Sequence, residues 1–450
     1  MKQKDLTQGS ISHNIFSFAL PYILAYFLQI LYGLADLFIV GQYCGVDSIT
    51  AVSNGAQVMY FVTVVIIGLA MGTTVRMAHA VGANDKRWAA KIMGNSITLF
   101  MVLSVVLAIV LTLSTNAIIN LMQTPLEAVD RTQHYLTICF LGIPFIVAYN
   151  IIASVFRGIG DTQTPLYFVA IACVANILLD YLFIGYMGLG AMGAGLGTTL
   201  SQTISVLFAF IAIRRHKEVF DLRATDLKPH KNILSDILKI GFPVALQDGF
   251  IQVSFILIAI IANMRGLDDA AAVGIVEKFI GLLFIVPSAM LSTVSAISAQ
   301  NVGAGQHERA KQTLMKAIQY VVVFGLFCIT LIHIFPEAPI RIFTDNENVI
   351  KQGAAYLSSY GWDCMLAGIH FCFSGYFTAH GYPVVSFVHN FISIVTARVP
   401  LSYFFSVSFP LTLYPMGWAA PIGSIVSIVI CLVAYMVMKR KGLFNAQRLH

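Results

Sequence analysis

Residues 165–185 read PLYFVAIACVANILLDYLFIG, an apolar run in which an amide and a carboxylate, Asn176 and Asp180, stand four positions apart. At that spacing the two side chains share one face of a helix. A carboxylate at membrane depth is costly, and it survives there mainly by binding an ion, a proton or a partner. A second acid, Asp36, lies in the first apolar run of the chain. The two acids therefore predict a cation or proton site within the membrane.

The composition is that of an integral membrane protein. Of 450 residues, 58% are hydrophobic and 11% are charged, and the mean hydropathy is +0.81, whereas soluble proteins carry about 25% charged residues. A spanning helix needs roughly 20 apolar residues. We predict an all-α polytopic membrane protein with twelve transmembrane helices, at 14–40, 49–75, 92–114, 133–156, 164–186, 191–213, 234–263, 271–298, 314–335, 353–378, 385–407 and 416–438.

Lys and Arg are distributed unequally between the two sides that twelve spans define. Most of the 27 fall in one set of loops and termini, and the opposite set contains Arg131, Arg265, Arg341 and Lys351. Because basic residues concentrate on the cytoplasmic side, we expect both termini in the cytoplasm and the protein in the plasma (inner) membrane. The net charge of +6 then reflects membrane topology rather than binding of nucleic acid.

The two halves of the chain resemble each other at an offset of 221 or 222 residues. Residues 19–21 (ALP) correspond to 241–243 (GFP), and 81–83 (VGA) correspond to 302–304 (VGA). Six spans repeated in one orientation predict two six-helix bundles related by pseudo-twofold symmetry. We expect them to enclose a V-shaped central cavity with alternating access.

The repeat also predicts the domain limits and two bending points. We expect an N-terminal lobe at 1–213, a cytoplasmic linker at 214–233 and a C-terminal lobe at 234–450. Pro21 and Pro243 fall inside the first helix of each lobe, where proline removes a backbone hydrogen bond and permits a bend. Matched interruptions in two repeats point to moving helices, and static packing kinks are the alternative.

Taken in order, these features resemble the multidrug and toxic compound extrusion (MATE) family of cation-coupled exporters over essentially the whole chain. The resemblance rests on Pro21 and Asp36 in the first run and on the two VGA motifs. It rests further on residues 157–162 (RGIGDT) after the fourth run, on Asn176 and Asp180 in the fifth, and on residues 193–198 in the sixth.

The resemblance implies a coupling-ion site in the N-terminal half, as in one branch of the family. Hard oxygen ligands suit Na⁺, and a buried carboxylate pair shares protons readily, so the coupling ion is expected to be Na⁺ or H⁺. Tyr32 and Tyr135 are expected to add hydroxyl groups nearby. The implied cation-binding residues are Asp36, Asn150, Asn176, Asp180 and Thr198.

The C-terminal half departs from the other branch of the family, which carries a glutamate in helix seven and an aspartate in helix ten. Its ionisable residues within spans normally face a bundle interior or a watery cavity. They either form an acidic substrate-binding surface or pair internally, for example Glu277 or Asp363 with Lys278. The candidate substrate-cavity residues are Asp248, Glu277, Lys278, Asp363 and Arg398.

The predicted function is antiport, in which Na⁺ or H⁺ drives export of small amphipathic, mostly cationic compounds by a monomer in the lipid bilayer. No enzyme activity and no cofactor are expected. A lipid-linked saccharide flippase of the wider superfamily is the alternative, although flippases tend to have extra helices and a strongly basic cavity. A channel lacks support because no filter repeat or charged ring occurs, and an ATP-driven pump lacks a GxxxxGK[ST] loop. The seven cysteines have no metal-ligand spacing.

Overall fold

A computed structural model describes residues 5–215 and 222–444. Every regular element in this part of the chain is a helix, and it contains no strand. The predicted all-α fold is confirmed. The apolar runs of the sequence become the long helices, because a run of about 20 apolar residues can satisfy its backbone hydrogen bonds within a membrane only as a helix.

The helices of the first half follow the predicted runs, with short connections between them. They are α1 (Ile11–Tyr43), α2 (Val46–Gly82), α3 (Lys86–Leu113), α4 (Thr115–Leu121), α5 (Leu126–Leu141), α6 (Ile143–Gly158), α7 (Gln163–Asp180), the π-helix Tyr181–Tyr186 and α8 (Gly190–Arg215).

The second half repeats this arrangement after a 3₁₀ turn at Ala224–Leu227. Its helices are α9 (Lys231–Asn263), α10 (Leu267–Leu283), α11 (Ile285–Gly303), α12 (His307–Ile334), α13 (Ala338–Arg341), α14 (Glu347–Tyr360), α15 (Trp362–Ala379), α16 (Pro383–Ser393), the π-helix Ile394–Arg398, α17 (Val399–Ser408), α18 (Tyr414–Gly417) and α19 (Ala419–Arg440).

Four of the predicted spans are interrupted well inside their limits, and two more are interrupted near one end, by the π-helix Tyr181–Tyr186 and at Trp418. The four inner interruptions lie at Gly142, Phe284, Gly361 and the π-helix Ile394–Arg398, and α5 and α6 meet at a bend of 47°. A proline follows three of them within three residues, at Pro144, Pro287 and Pro400. Proline lacks the backbone N–H and clashes with the preceding turn, so these prolines account for three of the breaks.

Among the described residues, ten segments are long and apolar enough to cross a membrane, and the bent pair of α5 and α6 adds an eleventh. The remaining predicted run, 353–378, coincides with the end of α14 and with α15. Asp363 and His370 lie within α15 and reduce its apolar character. The twelve predicted runs thus all lie in helices.

The described residues form two compact units, each with its own apolar core. One contains residues 20–241 and the other contains residues 6–19 together with the chain from 242 onward. The chain therefore changes unit inside α1 and α9, next to Pro21 and Pro243, which both lie within their helices. The limits predicted from the sequence (1–213, 214–233 and 234–450) stay a prediction, and residues 216–221 of that linker lie outside the described part.

The later part of the predicted linker packs against α3. Arg87 donates two hydrogen bonds to the buried Asp226 carboxylate, at 2.7 and 2.6 Å, and this contact lowers the pKa of Asp226 below its ordinary value. Asn95 Nδ2 donates to the Asp226 carbonyl at 3.1 Å, and the His230 N–H donates to Asn95 Oδ1 at 2.6 Å. Residues around Asp226 are thus fixed to the first unit.

Candidate functional site

The carboxylate of the Asn176 and Asp180 pair lies at the end of a helix. Asp180 is the last residue of α7, and Asn176 lies one turn before it. Both side chains are buried. The π-helix Tyr181–Tyr186 follows at once, and single π turns inside α-helical spans are frequent at functional sites.

Asp36 of α1 and Thr198 of α8 lie beside this pair. Thr198 Oγ1 donates to Asp36 Oδ2 at 3.3 Å, and the Asp36 carboxyl also faces Asp180 and Asn176. The other oxygen of Asp36, both oxygens of Asp180 and both amide atoms of Asn176 are buried without a hydrogen-bond partner among the described residues. The charged contacts described for these two acids include no Lys or Arg. Two buried acids of like charge are costly together, so the arrangement is suited to receive a proton or a small cation.

A glycine of α8 makes the close approach of Asp180 possible. A Cβ added at Gly197 would meet Asp180 Oδ1 at a separation that real Cβ atoms essentially never show, and it would lie 3.6 Å from Asn176 Nδ2. The carboxylate therefore lies directly against the backbone of α8. Any side chain at this position would push α7 and α8 apart or turn the carboxylate away.

We expect Gly197→Ala to destabilise the protein by about 1–3 kcal/mol, the usual cost of overpacking. The control is Gly41→Ala in α1, where an added Cβ meets no atom within 4 Å and alanine favours the helix by about 0.5–1 kcal/mol. Thermal unfolding of the two detergent-solubilised variants should therefore shift in opposite directions. Equal melting temperatures would contradict this packing of Asp180 against α8.

The remaining residues predicted for this site have separate positions. Tyr32 and Tyr135 lie within electrostatic range of Asp36, and the ring of Tyr135 fills space left by Gly55. The hydrogen bond described for Asn150 runs from Nδ2 to the Ile146 carbonyl of its own helix at 2.8 Å. The structure thus gathers four of the predicted cation-binding residues in one place: Asp36, Asn176, Asp180 and Thr198.

A second buried polar cluster surrounds Arg398, the last residue of the π-helix in the second half. Its guanidinium donates to the Tyr360 hydroxyl at 2.6 Å and lies 4.0 Å from Asp363 Oδ2. Phe255 presents its ring face to the same group at 4.8 Å, within the range of a cation–π contact. Ser424 donates a hydrogen bond to the other oxygen of Asp363.

This cluster corrects one pairing that the sequence suggested. Asp363 is paired with Arg398 and not with Lys278, which is exposed. Glu277 is within electrostatic range of Arg398, and neighbouring residues on a helix point in different directions, which separates Glu277 from Lys278. Asp248 of α9 is only partly buried.

Sequence reasoning missed two residues of the second cluster: Tyr360, which bonds to Arg398, and Ser424, which bonds to Asp363. Gly197 belongs to the series Gly193, Gly195 and Gly197, which is a recognisable signal for close helix approach. Tyr360 and Ser424 carry no such signal, because their contacts join residues far apart in the sequence.

A sequence model of the family described as MatE matches the chain twice, over residues 21–182 and 243–404. The chain belongs to the MatE family. Each match begins at one of the two corresponding prolines, Pro21 and Pro243, and each reaches the π-helix of its half. The internal repeat is thus a repeat of the family unit.

Curated relatives match this MatE protein over most of its length. The "Probable multidrug resistance protein YpnP" of Bacillus subtilis is 28% identical and covers 90% of this chain and 91% of its own. The "Probable multidrug resistance protein NorM" of Thermotoga maritima is 26% identical and covers 92% and 90%. The "FAD transporter" of Shewanella oneidensis is 23% identical and covers 88% of each chain.

Solved structures share the fold. A structure described as "Crystal structure of MATE in the bent conformation" superposes with a TM-score of 0.92 at 23% identity and covers 99% of this chain and 100% of its own. A MOP superfamily transporter from Pyrococcus furiosus superposes with a TM-score of 0.91 at 23% identity, covering 98% and 99%. These likenesses establish the twelve-helix MATE fold.

Proposed function

We propose that this MatE protein is a cation-coupled antiporter, in which inward movement of Na⁺ or H⁺ drives export of small amphipathic, mostly cationic compounds. The observation that carries the proposal is the buried pair Asp36 and Asp180, whose described charged contacts include no basic side chain. The names of the Bacillus subtilis and Thermotoga maritima relatives support multidrug export. The protein acts as a monomer in the plasma (inner) membrane, with both termini in the cytoplasm.

The coupling ion acts by neutralising the acidic pair. Three carboxylate oxygens and the Asn176 amide are buried without partners, so a proton or Na⁺ would offset part of the cost of holding two negative charges away from water. Asn150 and Thr198 are the further oxygen donors that we assign to the site, with Tyr32 and Tyr135 beside it. Either ion is compatible with two carboxylates and neutral oxygens.

Ion binding then shifts a conformational equilibrium. A bound cation favours whichever conformation keeps the pair dry, and export requires that the substrate favour the other conformation. Pro21 interrupts the hydrogen bonding of α1, the helix that carries Asp36, and a bend there would move the acid relative to α7 and α8. Pro243 gives α9 the same capacity.

The substrate contacts that we propose lie in the second half. Asp248 and Glu277 are only partly buried, so these are the carboxylates that a cationic compound can approach. Lys278, which we also assign to the substrate cavity, is exposed. Asp363 and Arg398 are buried as a pair and set the position of the surrounding helices. The positive charge of the substrate would therefore be bound by Asp248 and Glu277.

The test is uptake of a fluorescent cationic dye into inverted membrane vesicles that contain the protein. We expect dye to enter when the lumen holds excess Na⁺ or excess H⁺, each imposed alone, because the outward ion flux then drives dye inward. Vesicles without the protein are the control. Uptake that needs ATP but neither gradient, or that is equal for an anionic dye, would contradict the proposal.

A further inference from the structure

A cavity of about 150 Å³ lies in the second half of the chain, at the ends of α12 and α19 and beside α15. It is lined by His307, Glu308, Lys311, Tyr376, Tyr435, Lys439, Gly442 and Phe444. It shares no residue with either acidic cluster. It lies on the side of the spans where the sequence concentrates Lys and Arg, next to the basic run at residues 439–441.

Three nitrogen-bearing side chains converge on this cavity. Lys311 Nζ is held by Glu308 at 2.9 and 3.2 Å, and both side chains are partly exposed. Lys439 lines the cavity from the last turn of α19, and the ion pairs described for this part of the chain do not include it. His307 Nδ1 is buried without a hydrogen-bond partner among the described residues.

The opposite wall of the cavity is aromatic. The ring of Tyr376 lies 6.0 Å from that of Tyr435 and 5.2 Å from that of Phe444, and the last two rings are 5.4 Å apart. Tyrosine rings with one polar end are typical of the membrane–water interface. The cavity therefore joins an apolar wall to a group of cationic side chains at the expected depth of lipid headgroups.

We propose that this cavity binds the phosphate group of an anionic ligand, with Lys311, Lys439 and His307 as the contacting residues. Basic pockets between transmembrane helices on the cytoplasmic side are suited to phospholipid headgroups, and a phosphate accepts hydrogen bonds from several ammonium groups at once. The lipid source rests on the cytoplasmic orientation proposed above, whereas the phosphate chemistry does not.

The charge of Glu308 predicts the direction in which its substitution changes phosphate binding. Its carboxylate repels an anion and occupies the ammonium of Lys311. Exposed ion pairs of this kind are weak, so a phosphate can displace the carboxylate from Lys311. Glu308→Gln should therefore strengthen binding, whereas a residue that only stabilised the helix end would not have this effect.

The experiment titrates the purified full-length protein in a neutral detergent with three probes and follows its melting temperature. The probes are a short-chain phosphatidylglycerol, a phosphatidylcholine of the same chain length, and inorganic phosphate. A saturable increase with phosphatidylglycerol alone identifies a lipid headgroup, and a similar increase with inorganic phosphate identifies a soluble phosphate ligand. Equal responses to the two lipids with none to inorganic phosphate, or no response to any probe, would overturn the proposal.

Variants then locate the site. Lys439→Gln should weaken phosphatidylglycerol binding about fivefold, since one Lys near anionic lipid contributes about 1 kcal/mol, and Glu308→Gln should strengthen it. Lys441→Gln removes the same charge from an exposed residue that does not line the cavity, and should leave binding within about twofold. Equal weakening by both Lys variants would indicate diffuse surface attraction and would overturn the proposal. Glu308, Lys439 and Lys441 are exposed, so we expect all three variants to fold. The melting temperature of each variant without probe checks this.

Discussion

Asp36→Asn and Asp180→Asn are each expected to fold and reach the membrane but to lose gradient-driven dye uptake, down to the level of vesicles without the protein. An amide is already neutral, so it takes up no proton near neutral pH, and it binds a cation far less strongly than a carboxylate does. The ion would then bind equally weakly to both conformations, and a ligand without differential affinity shifts no equilibrium. The measurement is uptake per folded molecule, with the Na⁺ and H⁺ gradients imposed separately.

The matched control for these variants is Asp130→Asn, which removes one carboxylate from an exposed position of α5 in the same half. It should retain full uptake. Removal of one buried acid also relieves repulsion between the pair, so both test variants should be at least as stable as the unmodified protein. Normal gradient-driven uptake by either variant would show that the coupling-ion site does not lie in this half of the chain.

The gathering of Asp36, Asn176, Asp180 and Thr198 was predictable from sequence. The spacing of four places two of these residues on one helix face, and the resemblance to a known family supplies the other helices. The same reasoning placed Asn150 in the site, and this stays a prediction, because the bond from its Nδ2 to the Ile146 carbonyl does not involve the side-chain oxygen. An amide within a span can donate to its own helix, and the sequence does not reveal whether it does so.

Helix breaks were less accessible to sequence reasoning. Hydropathy detects an apolar run, but it does not detect the hydrogen-bond register within that run. The breaks near Pro144, Pro287 and Pro400 carried a signal, since proline interrupts a helix. The π-helix after Asp180 carried none, and neither did the break at Gly361 beyond the glycine itself.

The partner of Asp363 was mistaken for a similar reason. Lys278 was considered as its partner from charge alone, whereas the fold brings Arg398 to it from the following span. The cavity at residues 307–311 and 439–444 joins segments still further apart along the chain. Such contacts depend on which helices are neighbours, and this information is absent from the periodicity of any single helix.

Arg398→Gln is expected to lower the melting temperature by about 3–5 °C. The change leaves Asp363 buried, with one oxygen that has no hydrogen-bond partner among the described residues, and removing one partner of a buried pair typically costs about 3–5 kcal/mol. It also removes the hydrogen bond to Tyr360 and the stacking on Phe255. Lys278→Gln, on the exposed neighbour of Glu277, is the control and should change stability by less than about 0.5 kcal/mol.

The double variant Arg398→Gln with Asp363→Asn separates structural pairing from substrate binding. If the pair only fixes helix packing, removing both charges should recover much of the lost stability, because no unpaired charge then remains buried. Uptake per folded molecule should also return toward normal, with an unchanged range of cationic dyes. If the pair instead lines the substrate path, the double variant should be stable yet altered in dye range. Burial of both side chains, together with the contacts of Arg398 to Tyr360 and Phe255, favours the first result.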